Sequence, residues 1–274
     1  MSLAEFQREL AQLVITPEVD EARRRAWRAA AELTDRERRR LAGIADHGGL
    51  ETARVIHRFF RANALMDGLP LSLRGFRPGE IKPLLAQFWQ RHAPTSIYNH
   101  SESAAFGAFV LAQIEAGVVD NPVLADLLRY ELAEIELQTG HGGPQARSCG
   151  DLRDARAQAP VCRPGLRVVE MAHDPAELLA RACARQPVDE VARRPGFLLL
   201  RANPPGPVET APLLPELGAV LRMCDGRRNA ADLAEAIGRP VEELRELADA
   251  GLIAFVAWPA DDTGRGATGP GRSG

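Results

Sequence analysis

The chain reads as an α+β protein: an N-terminal all-α helical bundle followed by a small α+β domain. Three observations predict this. The first half carries apolar residues at helical spacing between cap signals; residues 140–164 break that pattern with glycine, proline and charge; and short β-branched and leucine-rich runs appear only after the break. With 274 residues, 45% of them hydrophobic and 26% charged, the chain is long enough for two modest cores.

In the first half, Ser2 opens "SLAE" as a capping box, and Thr16 followed by Pro17 starts a second helix that is expected to run to Glu32. Thr34 or Asp35 caps a short third helix. "GGLETARVIHRFFRANALM" carries Leu50, Val55, Phe59 and Leu65 at roughly helical spacing. Further helices are expected over 78–91, 101–116 (with Phe106, Phe109, Val110 and Ile114 apolar) and 121–138. Residues 1–140 therefore form one helical domain.

Residues 141–163 are read as a linker, because no apolar period is sustained across them. Two strands, "GLRVVEMA" and "GFLLLRA", flank a helix capped by Asp174 with Pro175 at its first position. "PPGPVET" reads as a turn with a third short strand. Helices over 213–223, 230–237 (capped by Asn229) and 241–250 follow, and Gly251 leads into a last strand, "LIAFVAW". The domain spans 164–258 and is winged-helix-like in layout; the glycine-rich residues 259–274 read as a disordered tail.

That layout usually grips DNA, so charge is the test. A reader helix needs cations, since phosphate neutralisation supplies most of the affinity. Residues 240–250 hold Glu242, Glu243, Glu246 and Asp249 against Arg245 alone, and residues 213–258 hold eight acids against five arginines. A polyanion would be repelled. The whole chain carries a net charge of −3, which offers no general cationic field. No run approaches the ~18 apolar residues of a membrane span, and "MSLAEFQREL" lacks the layout of a signal peptide, so a cytoplasmic protein without membrane contact is expected. Cys149, Cys162, Cys183 and Cys224 are scattered without a CxxC pair and read as reduced structural thiols.

Chemical motifs are sparse. Glu131 and Glu134 stand at i, i+3, but Leu137 occupies the place of the histidine that a diiron bundle would need, so a solvated acidic face is expected instead of a metal site. His47, His92, His100 and His141 read as surface groups on loops, and the eight bases and five acids of residues 20–40 as solvated helix faces. No Ser-His-Asp, P-loop or dinucleotide fingerprint occurs. No catalytic residue, metal ligand or cofactor of its own is therefore assigned to the chain.

Two resemblances add a function. Residues 196–255, with "CDGRRNAADLAEAIG" and "LRELADAGLI", resemble the RiPP recognition element, a winged-helix-like fold that binds the leader of a ribosomal precursor peptide. Residues 84–137 resemble the helical domain of the partner proteins that accompany multinuclear non-heme iron-dependent oxidative enzymes, including that of methanobactin biosynthesis; the matches are Pro94, Ser96, Phe106, Phe109, Pro122, Leu124, Ala125, Asp126, Leu127, Arg129 and Glu131. Together they imply a non-catalytic subunit that forms a heterodimer with an iron enzyme and presents a peptide to it, the iron belonging to the enzyme. A leader would add as a strand at Val208, Glu209, Thr210 and Ala211 and lodge against Val241, Leu244, Arg245 and Ala248. The enzyme would dock at Ser96, Tyr98, Asn99 and His100. The competing readings are a DNA-binding regulator with an atypical acidic helix, and a helical-bundle enzyme whose site is assembled from dispersed His and Glu.

Overall fold

Capping chemistry and apolar periodicity set most of the elements of this α+β chain. The computed structural model describes residues 3–15, 25, 33–92, 99–140, 152 and 154–258, so the expected Ser2 cap, the second helix opened by Thr16 and Pro17, and the tail lie outside the described residues. Contacts divide the chain into two compact units, Met1–Ile135 with Leu178–Val191, and Glu136–Glu177 with Ala192–Gly274.

The first unit contains α1 (Leu3–Ile15), α2 (Asp35–Ala45), α3 (Gly49–Gly68), the short α4 (Ser72–Gly75), α5 (Ile81–Arg91), α6 (Asn99–Glu115) and α7 (Pro122–Thr139, to Ile135). Thr34 caps α2 in a capping box: Glu37 N–H donates to the Thr34 hydroxyl at 3.3 Å, and Thr34 N–H to the Glu37 carboxylate at 2.8 Å. Asn121 starts α7 by accepting from Leu124 N–H at 3.1 Å, with Pro122 at the first helical position. One core gathers Leu65, Leu84, Phe88, Phe106, Val110 and Leu128, with the Phe88 and Phe106 rings edge-to-face at 5.3 Å. A smaller one joins Leu13, Leu33, Leu41 and Leu50. Most of the helix α8 (Pro175–Cys183) also belongs here, and Arg74 Nη1 donates to its Ala182 carbonyl at 2.7 Å.

The four apolar residues at helical spacing on α3 do not share one face. Leu50 and Leu65 are buried, but Val55 and Phe59 are 56% and 61% exposed, as are Ile56 at 50% and Phe60 at 66%. At 3.6 residues per turn, position 55 lies ~140° and position 59 ~180° round the helix from position 50, whereas 54, 61 and 65 stay within ~60° of it. Arg54 and Arg61 occupy the inner stripe instead.

In the second unit, β2 (Leu166–Met171), β3 (Gly196–Arg201) and β4 (Glu209–Leu213) form an antiparallel sheet in that order, with Val169 opposite Leu198 and Leu200 opposite Thr210. Three helices follow, α9 (Pro215–Met223), α10 (Ala230–Ile237) and α11 (Val241–Asp249). Asn229 caps α10 as expected, and Gly238 closes it in the left-handed conformation, φ 64°. Their apolar faces meet in a core of Val220, Leu221, Leu233, Leu244, Ile253 and Phe255.

The segment read as linker is corrected in its second half. Residues 158–162 form β1 (Gln158–Cys162), which pairs antiparallel with β5 (Ile253–Ala257), Pro160 lying opposite Phe255. Leu152 enters the same core, and Ala231 N–H donates to Ala155 carbonyl at 3.0 Å. "QAPVC" shows no apolar/polar alternation, and its first three residues, on both faces of the strand, are all buried. β5 thus pairs with β1 and takes no place in the three-stranded sheet.

Candidate functional site

The second unit carries an open strand and a groove in sequence. β4 pairs with β3 on one side and forms the end of its sheet, and Glu209, Thr210, Ala211 and Pro212 are exposed. Pro212 suits an edge, since a proline without an N–H is tolerated where no ladder bond is required. The chain then passes through Leu214, 72% exposed, into α9, which Pro215 begins. Gly218 on α9 sits directly against the Phe197 ring of β3; a Cβ there would overlap the ring, so the glycine fixes how closely α9 lies on the sheet.

Between α9, the end of α10 and α11 lies a cavity of about 400 Å³, bounded by Leu214, Leu217, Ile237, Glu243, Glu246 and Leu247. Leu244 forms part of its floor. Glu216 and Arg239 complete the rim. Arg239 is already engaged, donating to Glu243 at 2.8 Å, so the three acids leave the groove negative at neutral pH. An apolar floor with an acidic rim takes an apolar side chain flanked by a cation.

The residues expected at this site separate into two groups. Glu209, Thr210 and Ala211 lie on the exposed edge, and Val208 is half-buried just before it; Glu209 also accepts from the Asn203 side chain at 2.9 Å. Leu244 is fully buried and is core as much as wall. Val241 and Ala248 pack against that core. Arg245 faces elsewhere, lying 3.7 Å from Glu242 and donating to Leu152 carbonyl at 3.4 Å. The groove face of α11 is Glu243, Glu246 and Leu247, and sequence reasoning missed it together with Leu214, Leu217 and Ile237. The i, i+4 pair Glu243 and Leu247, next to the core position 244, was the available signal.

Of the expected enzyme-docking residues, Ser96 and Tyr98 lie outside the described residues. Asn99 opens α6, with its side chain likewise outside the description, and His100 is exposed on the first turn of that helix. The solvated acidic face expected at Glu131 is corrected: this side chain is 2% exposed and accepts from Leu71 N–H at 2.6 Å and Ser72 N–H at 2.8 Å, closing the start of α4. Burial outweighs those donors and pushes its carboxyl up to about 7, while burial also raises that of Glu134. Glu131 is therefore a structural acceptor inside the bundle. His92 stacks on Phe88 at 4.7 Å, and His47 accepts from Gly49 N–H at 3.0 Å. Among the described residues no three His, Cys, Asp or Glu side chains converge as a metal site, and no helix is long and apolar enough to cross a membrane. Cys162, Cys183 and Cys224 are free thiols; burial pushes Cys224 up to about 12.

No family model matches the chain, and no curated protein matches it in sequence, so the chemistry of the site rests on its own residues.

Proposed function

We propose that the chain is an accessory, peptide-presenting subunit: its second unit binds the leader of a ribosomal precursor peptide, and its helical unit docks a multinuclear non-heme iron oxidative enzyme that modifies the peptide's core. The observation that carries this reading is the exposed β4 edge leading through Leu214 into an apolar, acid-rimmed groove. An extended peptide adds its backbone to such an edge and places a side chain in the adjoining pocket. Three acids around that pocket favour a leader with Lys or Arg beside its apolar anchor and oppose a nucleic-acid phosphate. The exposed stripe of Val55, Ile56, Phe59 and Phe60 on α3 supports docking by the helical unit, since contiguous apolar surface of this kind marks interaction sites. Holding the leader on one unit while the enzyme sits on the other raises the effective concentration of the core at the iron centre.

The test is a titration of a fluorescently labelled synthetic peptide with an apolar anchor flanked by lysines, standing for the leader, with duplex DNA as competitor at low and high salt. Leu214→Asp puts a charge at the mouth of the groove on a side chain that supports no core. It is expected to weaken leader binding at least tenfold without changing the melting temperature, and DNA is expected not to compete. Salt-sensitive DNA binding with no leader binding by the unaltered chain would mean that the module reads nucleic acid instead.

A further inference from the structure

The helical unit contains a second concavity that peptide presentation does not use. It lies among the end of α1, α3 and α5, has a volume of about 340 Å³, and is lined by His57, Arg58, Arg61, Lys82, Leu85 and Trp89 among others. That size falls at the small end of the ~300–1,000 Å³ typical of ligand pockets. Among the described residues that line it there is no acid.

Its cations are arranged in two tiers. Deep in the wall, Arg61 is 7% exposed; its Nε donates to Glu102 at 2.5 Å and its Nη2 to His92 carbonyl at 3.2 Å. The guanidinium stands 5.5 Å from the ring centroids of both Phe88 and Trp89, and Nη1 enters no hydrogen bond among the described residues. Toward solvent, Arg58 and Lys82 are exposed and make no ion pair among the described residues. The apolar surface comes from Leu85, Trp89 and the last residues of α1. The Trp89 indole N–H is buried with no acceptor among the described residues. Burial, then the neighbouring Arg61, lowers the His57 imidazole below its ordinary range, so it adds no further full charge at neutral pH.

We propose that this cavity binds a small organic carboxylate with an apolar body, the body lying against Leu85 and Trp89 and the carboxylate meeting Arg58, Lys82 and the unused Nη1 of Arg61. Two unpaired cations beside a fixed guanidinium suit a single carboxylate, for which charge-assisted bonds give both strength and orientation. An apolar body is required because the remaining wall offers few polar groups. The site is independent of the groove in the other unit and stands even if peptide binding fails.

The probe is 4-phenylbutyrate, titrated into the full chain labelled with ¹⁵N-tryptophan, with 4-phenylbutyramide and inorganic phosphate as controls. One of the three tryptophan indole resonances, the one missing from Trp89→Phe, is expected to shift saturably with phenylbutyrate. The amide is expected to bind at least tenfold more weakly, and phosphate not to compete at equal concentration. Arg58→Gln with Lys82→Gln, both at exposed positions, is expected to raise the apparent Kd about tenfold, and Lys82→Gln alone to raise it measurably. Absence of a saturable shift, equal binding of the amide, equal competition by phosphate, or unchanged affinity in the charge variants would each overturn the proposal.

Discussion

The two units differ in what they hide. In the helical unit the inner faces carry charge: Arg54, Arg61, Glu102 and Glu131 are all buried. The main core cluster of the second unit is leucine, valine, isoleucine, alanine and phenylalanine with one buried thiol, Cys224, and the polar groups that unit buries, Gln158 and His173, lie outside that cluster. The difference explains why one apolar pattern reads cleanly and the other does not. On α11 the position that periodicity places inside, Leu244, is inside. On α3 there are more apolar residues than the core accepts, and the inner stripe is shared with two arginines that reach other helices: Arg54 donates to Leu13 carbonyl at 3.1 Å beside its own-helix partner Glu51 at 3.5 Å, and Arg61 to Glu102 at 2.5 Å. A buried charge needs a partner; α3 supplies Glu51 for Arg54, but the counter-charge of Arg61 comes from another helix.

Breaking the polar interior gives the largest expected effect. Glu102→Gln leaves Arg61 buried without its counter-charge and is expected to cost about 3–5 kcal/mol in urea denaturation of the full chain. Adding Arg61→Met should recover much of that loss, since an apolar side chain of similar length needs no partner. A double variant no more stable than Glu102→Gln would mean that the His92 carbonyl contact of Arg61 matters more than its charge balance.

Next in size is a pH dependence from the helical unit. Glu131 has its carboxyl raised from 4.5 to about 7 in the fold, so between those values the folded chain holds a proton that the unfolded chain has released. Stability therefore falls as pH rises from 4.5 to 7 and levels above that, by about 2–3 kcal/mol from this group. Denaturation curves across this range should show the slope, and Glu131→Gln should reduce it, leaving the part that the raised carboxyl of Glu134 contributes. The second unit's buried thiol gives no counterpart there, because Cys224 titrates at about 12. A slope unchanged in Glu131→Gln would assign it to another group.

The smallest expected change in stability sharpens the same contrast. Phe59→Ser with Phe60→Ser removes two large apolar side chains from α3, yet both are more than half exposed, and the expected shift is within about 0.5 kcal/mol. Loss of several kcal/mol would place these rings in a core. Unchanged stability with weakened binding to the proposed partner enzyme would support α3 as the docking face.

Much of the local structure was legible from residues close together. Thr34 and Glu37, Asn121 and Pro122, and Asn229 declare their helix starts because a cap is closed within three or four positions. The candidate edge was legible too, from a short run between a proline-rich turn and the next helix. The groove beside it was not: Leu214, Leu217, Ile237 and Leu247 come from three helices and the approach to the first of them, and no spacing in the sequence says that they meet.

The sequence by itself determined the α+β order, most helix starts and the negative charge of α11, since all of these depend on neighbours within a turn or on composition. Only the tertiary structure decided which stripe of α3 faces inward, that Glu131 is a buried acceptor, and that "QAPVC" is a strand on β5. Each of those outcomes depends on a partner distant in the chain. Desolvation and hydrogen-bond satisfaction act between whatever groups the fold brings together, and chain proximity does not record them.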